Sequence, residues 1–217
     1  MPETSSPETK PLKGRIADSL TLARAILTPV IVLLILTGWP ELYTALYASM
    51  IFAFAALTDI LDDLIGGSAQ SSERKFGWFD DISDTLLCTG VLATMLYVIA
   101  KADMMSPLFA IPAAALIGRE VLVGLVKGYE LSRRPYATSR LGLLKTALTM
   151  LAICTLLASP WLTALYDNWR ATHTSATAVY GEASTHIWII GQILLWLAAC
   201  ISVYTGFKIL FRKDNLQ

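Results

Sequence analysis

Six aspartates lie close together between residues 58 and 85, in the segment TDILDDLIGGSAQSSERKFGWFDDISDT. Asp59, Asp62 and Asp63 are spaced to share one face of a helix, and Asp80 and Asp84 share a face in the same way. Long apolar runs flank them, and a carboxylate at the bilayer centre costs about 2.5–3.5 kcal/mol. Protons, basic partners or divalent cations can offset this cost, and clustered carboxylates suit Mg²⁺, Mn²⁺ or Ca²⁺. The spacing therefore favours a metal site over a solvated acidic helix end.

A second set of candidate residues is basic. Arg119 and its neighbour Glu120 interrupt an apolar run, which is costly unless they pair or face a polar cavity. One interpretation is a structural ion pair with the aspartate cluster. The other is a guanidinium that binds an anionic alcohol substrate through two parallel hydrogen bonds. The remaining basic residues of this set are Lys127, Arg133, Arg134, Arg140 and Lys145. They suit phosphate binding, although we assign Arg133 and Arg134 mainly to anionic lipid headgroups.

The elements that must position these residues are transmembrane helices. Of the 217 residues, 55% are hydrophobic and 16% are charged, whereas a soluble domain carries about a quarter charged residues. Six runs are long enough to cross roughly 30 Å of hydrocarbon as helices. They lie near 20–38, 43–65, 82–100, 106–126, 141–159 and 185–207. We therefore predict an all-α, integral membrane bundle of six transmembrane helices, in which spans two and three pair and bring both aspartate faces together.

Two segments are predicted to lie outside this bundle. Residues 1–14, MPETSSPETKPLKG, have a composition typical of disorder, so we predict a disordered cytoplasmic tail followed by a membrane domain over 15–213. Residues 160–184 are predicted to form the longest connection. His173 lies in that stretch and His186 just beyond it, and their spacing matches no metal-ligand pattern.

Basic residues are distributed unevenly across the six predicted spans. Fifteen Lys and Arg residues fall on the side that holds both termini, and only Lys101 and Arg170 fall on the other. Lys and Arg near span ends favour the cytoplasmic side, so both termini are predicted to be cytoplasmic. Trp39, Tyr43 and Tyr47 near one boundary are typical of an interfacial aromatic belt.

The three cysteines offer no recognisable chemistry. Cys88, Cys154 and Cys200 each lie inside a predicted span and form no CxxC pair. We therefore predict packing roles and no disulfide framework.

The aspartate spacing resembles the signature of the CDP-alcohol phosphatidyltransferase family, D-x2-D-G-x2-A-R-x8-G-x3-D-x3-D. Asp59, Asp62, Asp80 and Asp84 match its four aspartates. The other motif positions depart from it, since Asp63, Gly66, Gly67 and Phe76 stand where the family has Gly, Ala, Arg and Gly.

A shifted register is an alternative at the end of the motif. Aligning on Gly77 would make Asp81 and Thr85 the last two motif positions. We prefer Asp80 and Asp84, because that register needs no insertion and keeps both carboxylates on one helical face.

Three further segments extend the resemblance over roughly residues 18–152. DSLTLARAILTP (18–29) resembles the family's N-x2-T-x2-R segment, with Thr21 and Arg24 in register. GREVLVGLVKGYE (118–130) and SRLGLLKTALTMLA (139–152) resemble the R-E and G-K-x-K-T segments of the glycerophosphate branch. These segments favour glycerol 3-phosphate as the acceptor.

The resemblance implies a function and a set of site residues. The enzyme would transfer a phosphatidyl group from CDP-diacylglycerol to glycerol 3-phosphate and release CMP, using two divalent ions, Mg²⁺ or Mn²⁺. Asp84 would be the catalytic base. The implied metal ligands are Asp59, Asp62, Asp80 and Asp84; the nucleotide-binding residues are Thr21, Asp59, Asp62 and Gly66; the phosphate-binding residues are Arg119, Lys127, Arg140 and Lys145. The expected surroundings are a bacterial inner membrane with its lipids, with a homodimer as the assembly and no nucleic acid as a partner.

Two other functions remain open from the sequence. The loss of the motif Gly and Arg, replaced by Asp63 and Gly67, is compatible with a relative that uses another alcohol or has become inactive. A cation carrier could also use an acidic cluster, but it should show polar residues in mid-membrane on several spans. Spans five and six show almost none.

Overall fold

The protein is an α-helical bundle in a computed structural model that describes residues 12–65, 77–130, 140–173 and 182–210, with side chains described for 19–59, 82–123, 144–169 and 186–207. The helices in these ranges are α1 (Leu12–Gly38), α2 (Leu42–Ile65), α3 (Gly77–Lys101), α4 (Pro107–Glu130), α5 (Arg140–His173) and α6 (Glu182–Leu210). Helix α1 begins inside the segment predicted as a tail, and residues 1–11 lie outside the described part.

Most of these helices are long and apolar enough to cross a membrane. Qualifying stretches of 18 to 26 residues occur in five of them: Ser19–Gly38, Leu42–Asp59, Ile82–Lys101, Leu144–Trp169 and His186–Phe207. The sixth helix, α4, has described side chains from Pro107 to Val123, and these include Arg119 and Glu120. The all-α membrane bundle predicted from the sequence is confirmed.

The helices pack around α1 and along an extensive α5–α6 contact. Helices α2 and α3 each pack against α1, α2 also packs against α5, and α4 packs against α6 and α3. The prediction that spans two and three form a direct pair was wrong for the described residues, because α1 lies against both helices and they make no substantial contact with each other. The physical reason is a buried arginine on α1, Arg24, which attracts a carboxylate from each of them.

Helix α5 continues well past the boundary predicted for it. Residues 160–173 were predicted to belong to a connection, but they are helical, and Pro160 lies inside the helix. A proline lacks the N–H that would bind the carbonyl four residues earlier, here that of Leu156. The Ser159 hydroxyl donates to that carbonyl at 2.8 Å, and Trp39 Nε1 donates to the next one, Leu157, at 3.4 Å. These bonds satisfy the backbone in a region without water, so the helix continues.

Trp39 therefore lies inside the bundle, and its assignment to an interfacial belt was wrong. Only 9% of the residue is exposed, and its ring centroid is 6.2 Å from that of Trp188, which in turn is 5.6 Å from that of Phe109. Tyr43 and Tyr47 are exposed, and their place in a belt stays a prediction. All three cysteines are free thiols: Cys88 is buried, Cys154 half-buried and Cys200 exposed.

Pro112 in α4, like Pro160 in α5, leaves one backbone carbonyl without a helical N–H donor. A side chain of α6 supplies the missing hydrogen bond. The carbonyl of Leu108 loses its helical N–H donor at Pro112, and Trp196 Nε1 donates to it at 2.9 Å. We expect Trp196→Phe to lower the free energy of unfolding by about 0.5–1.5 kcal/mol, because this carbonyl is left without a donor.

The matched background is Pro112→Ala, which restores the N–H of residue 112. In that background Trp196→Phe should lower the free energy of unfolding by clearly less, because the Leu108 carbonyl again has a helical N–H donor. The free energy is measured by denaturant titration in micelles. Equal losses in both backgrounds would show that Trp196 contributes through packing alone.

Candidate active site

The centre of the site is a buried arginine between two carboxylates. The side chain of Arg24 on α1 is fully buried. Its Nη1 atom donates to Asp59 Oδ1 on α2 at 2.5 Å and also to Asp84 Oδ1 on α3. The two carboxylate oxygens come from different helices and approach the same nitrogen, so they lie close together. This is the meeting of the two aspartate sets that the sequence predicted, with Arg24 as the connecting group.

Burial explains why the arginine needs both partners. An unpaired buried charge costs several kcal/mol, and the attraction of well-placed partners offsets that cost. The Asp59 and Asp84 side chains keep 15% and 25% of their surface exposed, so they also remain accessible from outside the bundle. The three side chains together carry a net charge of −1, which leaves capacity for a further cation.

Thr21 lies one helical turn before Arg24 on α1. It is buried, and its carbonyl accepts a hydrogen bond from the Ser83 hydroxyl at 3.5 Å. This contact ties α1 to α3 next to Asp84. Thr21, a residue predicted to bind the nucleotide, is therefore held in the neighbourhood of the aspartate pair.

A second ionic cluster joins α4 and α5. The Glu120 carboxylate accepts a hydrogen bond from Arg119 Nη1 at 3.0 Å and another from Lys145 Nζ through the same Oε1 atom. Arg119 Nη2 reaches Thr205 Oγ1 on α6 at 3.5 Å. The cluster has one carboxylate for two cations and therefore a net charge of +1.

A narrow cavity between α3, α4 and α5 connects the two clusters. Asp84 lines one part of it, and Glu120 and Lys145 line another; the other lining side chains are Thr85, Cys88, Thr89, Leu92, Leu116, Ile117, Thr146 and Thr149. Its volume is about 60 Å³, which is large enough to admit water. Two carboxylates and an ammonium group thus line one cavity whose walls are otherwise largely apolar.

Several predicted site residues lie on these helices without described side chains. Asp62 lies one turn beyond Asp59 on α2, and Asp80 lies one turn before Asp84 on α3. The side chains of Lys127 on α4 and Arg140 on α5 are likewise outside the described part, as is the whole of Gly66. Among the described residues, no three His, Cys, Asp or Glu side chains form a metal-binding group.

The alternative interpretation of Arg119 as the partner of the aspartate cluster was wrong for the described side chains. Arg24 takes that place, and Arg119 pairs with Glu120 instead. Sequence reasoning gave neither Arg24 nor Glu120 a role in the site. A signal was present for each, since Arg24 is in register with the N-x2-T-x2-R segment and Glu120 is an ionisable residue inside an apolar run.

Removing Arg24 should destabilise the protein, because Asp59 and Asp84 would then face each other without a cation. We expect Arg24→Met to cost about 3 kcal/mol, the lower end for a broken buried pair, since both carboxylates are partly exposed. The measurement is the thermal midpoint in detergent micelles with chelator present.

The control is the addition of Asp59→Asn to Arg24→Met. Neutralising one carboxylate should recover part of the lost stability, because it removes the repulsion between the two aspartates. A double variant that is no more stable than the single one would contradict a stabilising role for this ion pair.

Comparison with known proteins identifies the family. Residues 15–204 match the sequence profile of CDP-alcohol phosphatidyltransferases. Proteins named CDP-diacylglycerol–glycerol-3-phosphate 3-phosphatidyltransferase are similar to the chain. That of Rickettsia typhi is 29% identical over 190 residues, which are 87% of this chain and 91% of the relative. That of Pseudomonas fluorescens is 33% identical over 153 residues, which are 67% of this chain and 73% of the relative. That of Escherichia coli K12 is 31% identical over 152 residues, which are 69% of this chain and 80% of the relative. With its aspartate pair on two helices that both pack against α1 and its profile match over most of its length, the chain belongs to the CDP-alcohol phosphatidyltransferase family.

Proposed function

We propose that the protein transfers the phosphatidyl group of CDP-diacylglycerol to glycerol 3-phosphate and releases CMP. The observation that carries this proposal is the cavity that Asp84 shares with Glu120 and Lys145. Phosphatidyl transfer to a phosphorylated alcohol needs a base near the attacking hydroxyl and a cation near the acceptor's phosphate. Asp84 on α3 and Lys145 on α5 both line this cavity, and they are our candidates for the base and the cation. The names of the similar bacterial proteins support the same donor and acceptor.

Asp59, Asp62, Asp80 and Asp84 are the proposed ligands of two divalent ions, Mg²⁺ or Mn²⁺. The fit rests on Asp59 and Asp84, whose carboxylates lie close together around Arg24 and remain partly exposed, because paired carboxylates supply the hard oxygen donors that these ions prefer. Bound divalent ions would supply charge neutralisation at the pyrophosphate of the donor. Thr21, Asp59, Asp62 and Gly66 are proposed to contact the nucleotide.

The reacting groups follow from the positions of Asp84 and Lys145. Asp84 would accept the proton of the acceptor hydroxyl, whose oxygen forms the new bond to the phosphatidyl phosphorus. The bond from that phosphorus to the CMP oxygen breaks, and CMP leaves with the electron pair. Lys145 would bind the acceptor's phosphate as a point charge. Helices α4 and α5 also carry Lys127 and Arg140, which we propose as further phosphate ligands, and Arg119, which we include in the phosphate subsite as the neighbour of Glu120.

The proposed orientation puts this site on the cytoplasmic side of a bacterial inner membrane. Fifteen of the seventeen Lys and Arg residues fall on the side assigned to the two termini. A soluble acceptor and CMP could then exchange with the cytosol while the diacylglycerol part stays in the lipid. Periplasmic labelling of a cysteine introduced at Glu3 would contradict this orientation. The homodimer suggested by the family resemblance stays a prediction.

The direct test of the proposal is CMP release by the purified protein from CDP-diacylglycerol in mixed micelles with Mg²⁺ or Mn²⁺. We expect release to depend on glycerol 3-phosphate, with little release for inositol phosphate or phosphatidylglycerol at the same concentration. Equal or greater CMP release with inositol phosphate or phosphatidylglycerol would identify that compound as the acceptor instead of glycerol 3-phosphate. No release with any acceptor would make the protein an inactive member of the family.

Asp59 and Asp84 should respond differently to the same substitution. We expect Asp59→Asn to weaken Mn²⁺ binding, whereas Asp84→Asn should leave Mn²⁺ largely bound and lower kcat by about 100- to 10,000-fold, the range for a general base. Mn²⁺ binding is measured by electron paramagnetic resonance, and turnover by CMP release.

Asp59→Asn and Asp84→Asn each remove one negative charge next to Arg24, so the two variants control for each other's effect on the fold. A general loss of structure would lower metal binding and turnover in both variants. Wild-type turnover in Asp84→Asn would remove Asp84 from the role of base.

A further inference from the structure

We propose that Arg119 is a positioning residue, held in place by Thr205 and Gly206 of α6, and that it acts on the acceptor subsite through Glu120. This inference rests on the proposed function, since it concerns the subsite for the acceptor's phosphate. It assigns a role to α6, a helix in which sequence reasoning found no site residue.

The position of Arg119 relative to the cavity suggests an indirect role. Glu120 and Lys145 both line the cavity, whereas Arg119 is absent from its described lining. The guanidinium of Arg119 instead extends from Glu120 to Thr205, with Nη1 bonded to the carboxylate and Nη2 to the hydroxyl. Lys145 is therefore the described cation that an anion in this cavity would meet, and Arg119 lies behind Glu120.

Gly206 lets the arginine lie directly on the backbone of α6. A Cβ atom at position 206 would lie 3.1 Å from Arg119 Cγ, 3.4 Å from Nε and 3.9 Å from Cδ. The first distance is shorter than an ordinary van der Waals contact between carbon atoms, which is about 3.5–4.0 Å. An alanine at position 206 would therefore require the Arg119 side chain to shift by a few tenths of an ångström away from α6.

Thr205 fixes the far end of the guanidinium. Its hydroxyl donates to the carbonyls of Ile201, at 2.9 Å, or Ser202, at 3.0 Å. With its hydrogen directed at the backbone, the oxygen presents its lone pairs to Arg119 Nη2. The residue is only 7% exposed, so water does not compete freely for this contact.

Charge explains how Arg119 would influence a phosphate that it does not touch. While Glu120 is shared between Arg119 and Lys145, the cluster carries one net positive charge, and Lys145 keeps part of its attraction for an anion. If Arg119 moves away, Glu120 pairs with Lys145 alone and neutralises it. Thr205 and Gly206 thus keep Lys145 available by keeping Arg119 on Glu120.

The test compares Gly206→Ala with Gly118→Ala in the full-length protein. Gly118 is the residue before Arg119, and a Cβ there would meet nothing within 4 Å, so its variant has the same chemical change without the collision. We expect Gly206→Ala to raise the KM for glycerol 3-phosphate about tenfold, comparable to the loss of one hydrogen bond to a charged group. The KM for CDP-diacylglycerol, and both constants of Gly118→Ala, should stay near wild type. Equal KM values for glycerol 3-phosphate in the two variants would overturn the inference.

Thr205 offers a second variant pair that preserves the fold. Thr205→Val removes the hydroxyl and should raise the same KM, whereas Thr205→Ser retains it and should behave like the wild type. Equal behaviour of the Val and Ser variants would contradict a role for the hydroxyl.

The Glu120→Gln background separates an indirect from a direct role of Arg119. If Arg119 acts through Glu120, Gly206→Ala should have little further effect in that background, because no carboxylate is left to neutralise Lys145. An undiminished effect would make Arg119 a direct phosphate ligand and overturn the inference. A wild-type protein without glycerol 3-phosphate-dependent CMP release would instead refute the proposed function, so the two failures are distinguishable.

Discussion

The guanidinium of Arg24 lies in the interior of a membrane bundle, where an unpaired charge costs several kcal/mol. The structure meets this constraint with Asp59 from α2 and Asp84 from α3, and both carboxylates contact the same nitrogen. Helices α2 and α3 must therefore both lie against α1, which is the observed packing. The same ion pair brings together the two aspartates that the family signature separates along the chain. In the proposed enzyme, Arg24 is a fixed counter-ion beside the metal ligands, and it limits the repulsion between them.

The two ends of the bundle contain different kinds of buried polar groups, ionic side chains at one end and backbone carbonyls near prolines toward the other. At one end, Asp84, Glu120 and Lys145 line a small cavity between α3, α4 and α5. Toward the other end, Trp39, Trp188 and Phe109 pack together in the interior. The Trp196 indole donates to the Leu108 carbonyl, which Pro112 leaves free, and the Ser159 hydroxyl donates to the Leu156 carbonyl, which Pro160 leaves free. Helices can thus carry prolines within the membrane, because neighbouring side chains satisfy the carbonyls that the prolines leave free. The packed helices hold Asp84 on α3 and Lys145 on α5 at one cavity.

The sequence predicted the helices and the aspartate pair because both follow from short-range patterns. Apolar runs in the sequence predict the spans. The positions of Asp59 near the end of one run and Asp84 near the start of the next predict which helix ends carry carboxylates. The partner of that pair was not predictable in the same way, since Arg24 is 35 and 60 positions away from them. The continuation of α5 through Pro160 was missed because it depends on Ser159 and on tertiary packing. The role proposed for Gly206 likewise depends on a contact with α4 that no local pattern records.

The proposed site of phosphatidyl transfer to glycerol 3-phosphate is the cavity lined by Asp84, Glu120 and Lys145. The most direct measurement follows radiolabelled glycerol 3-phosphate into chloroform-extractable lipid, with purified protein, CDP-diacylglycerol and Mg²⁺ or Mn²⁺. We expect label to enter the lipid phase in equal amount to the CMP released, and we expect chelator or the omission of CDP-diacylglycerol to abolish the transfer. Label that stays in the aqueous phase with both Mg²⁺ and Mn²⁺, while the protein remains folded, would contradict the proposed phosphatidyl transfer.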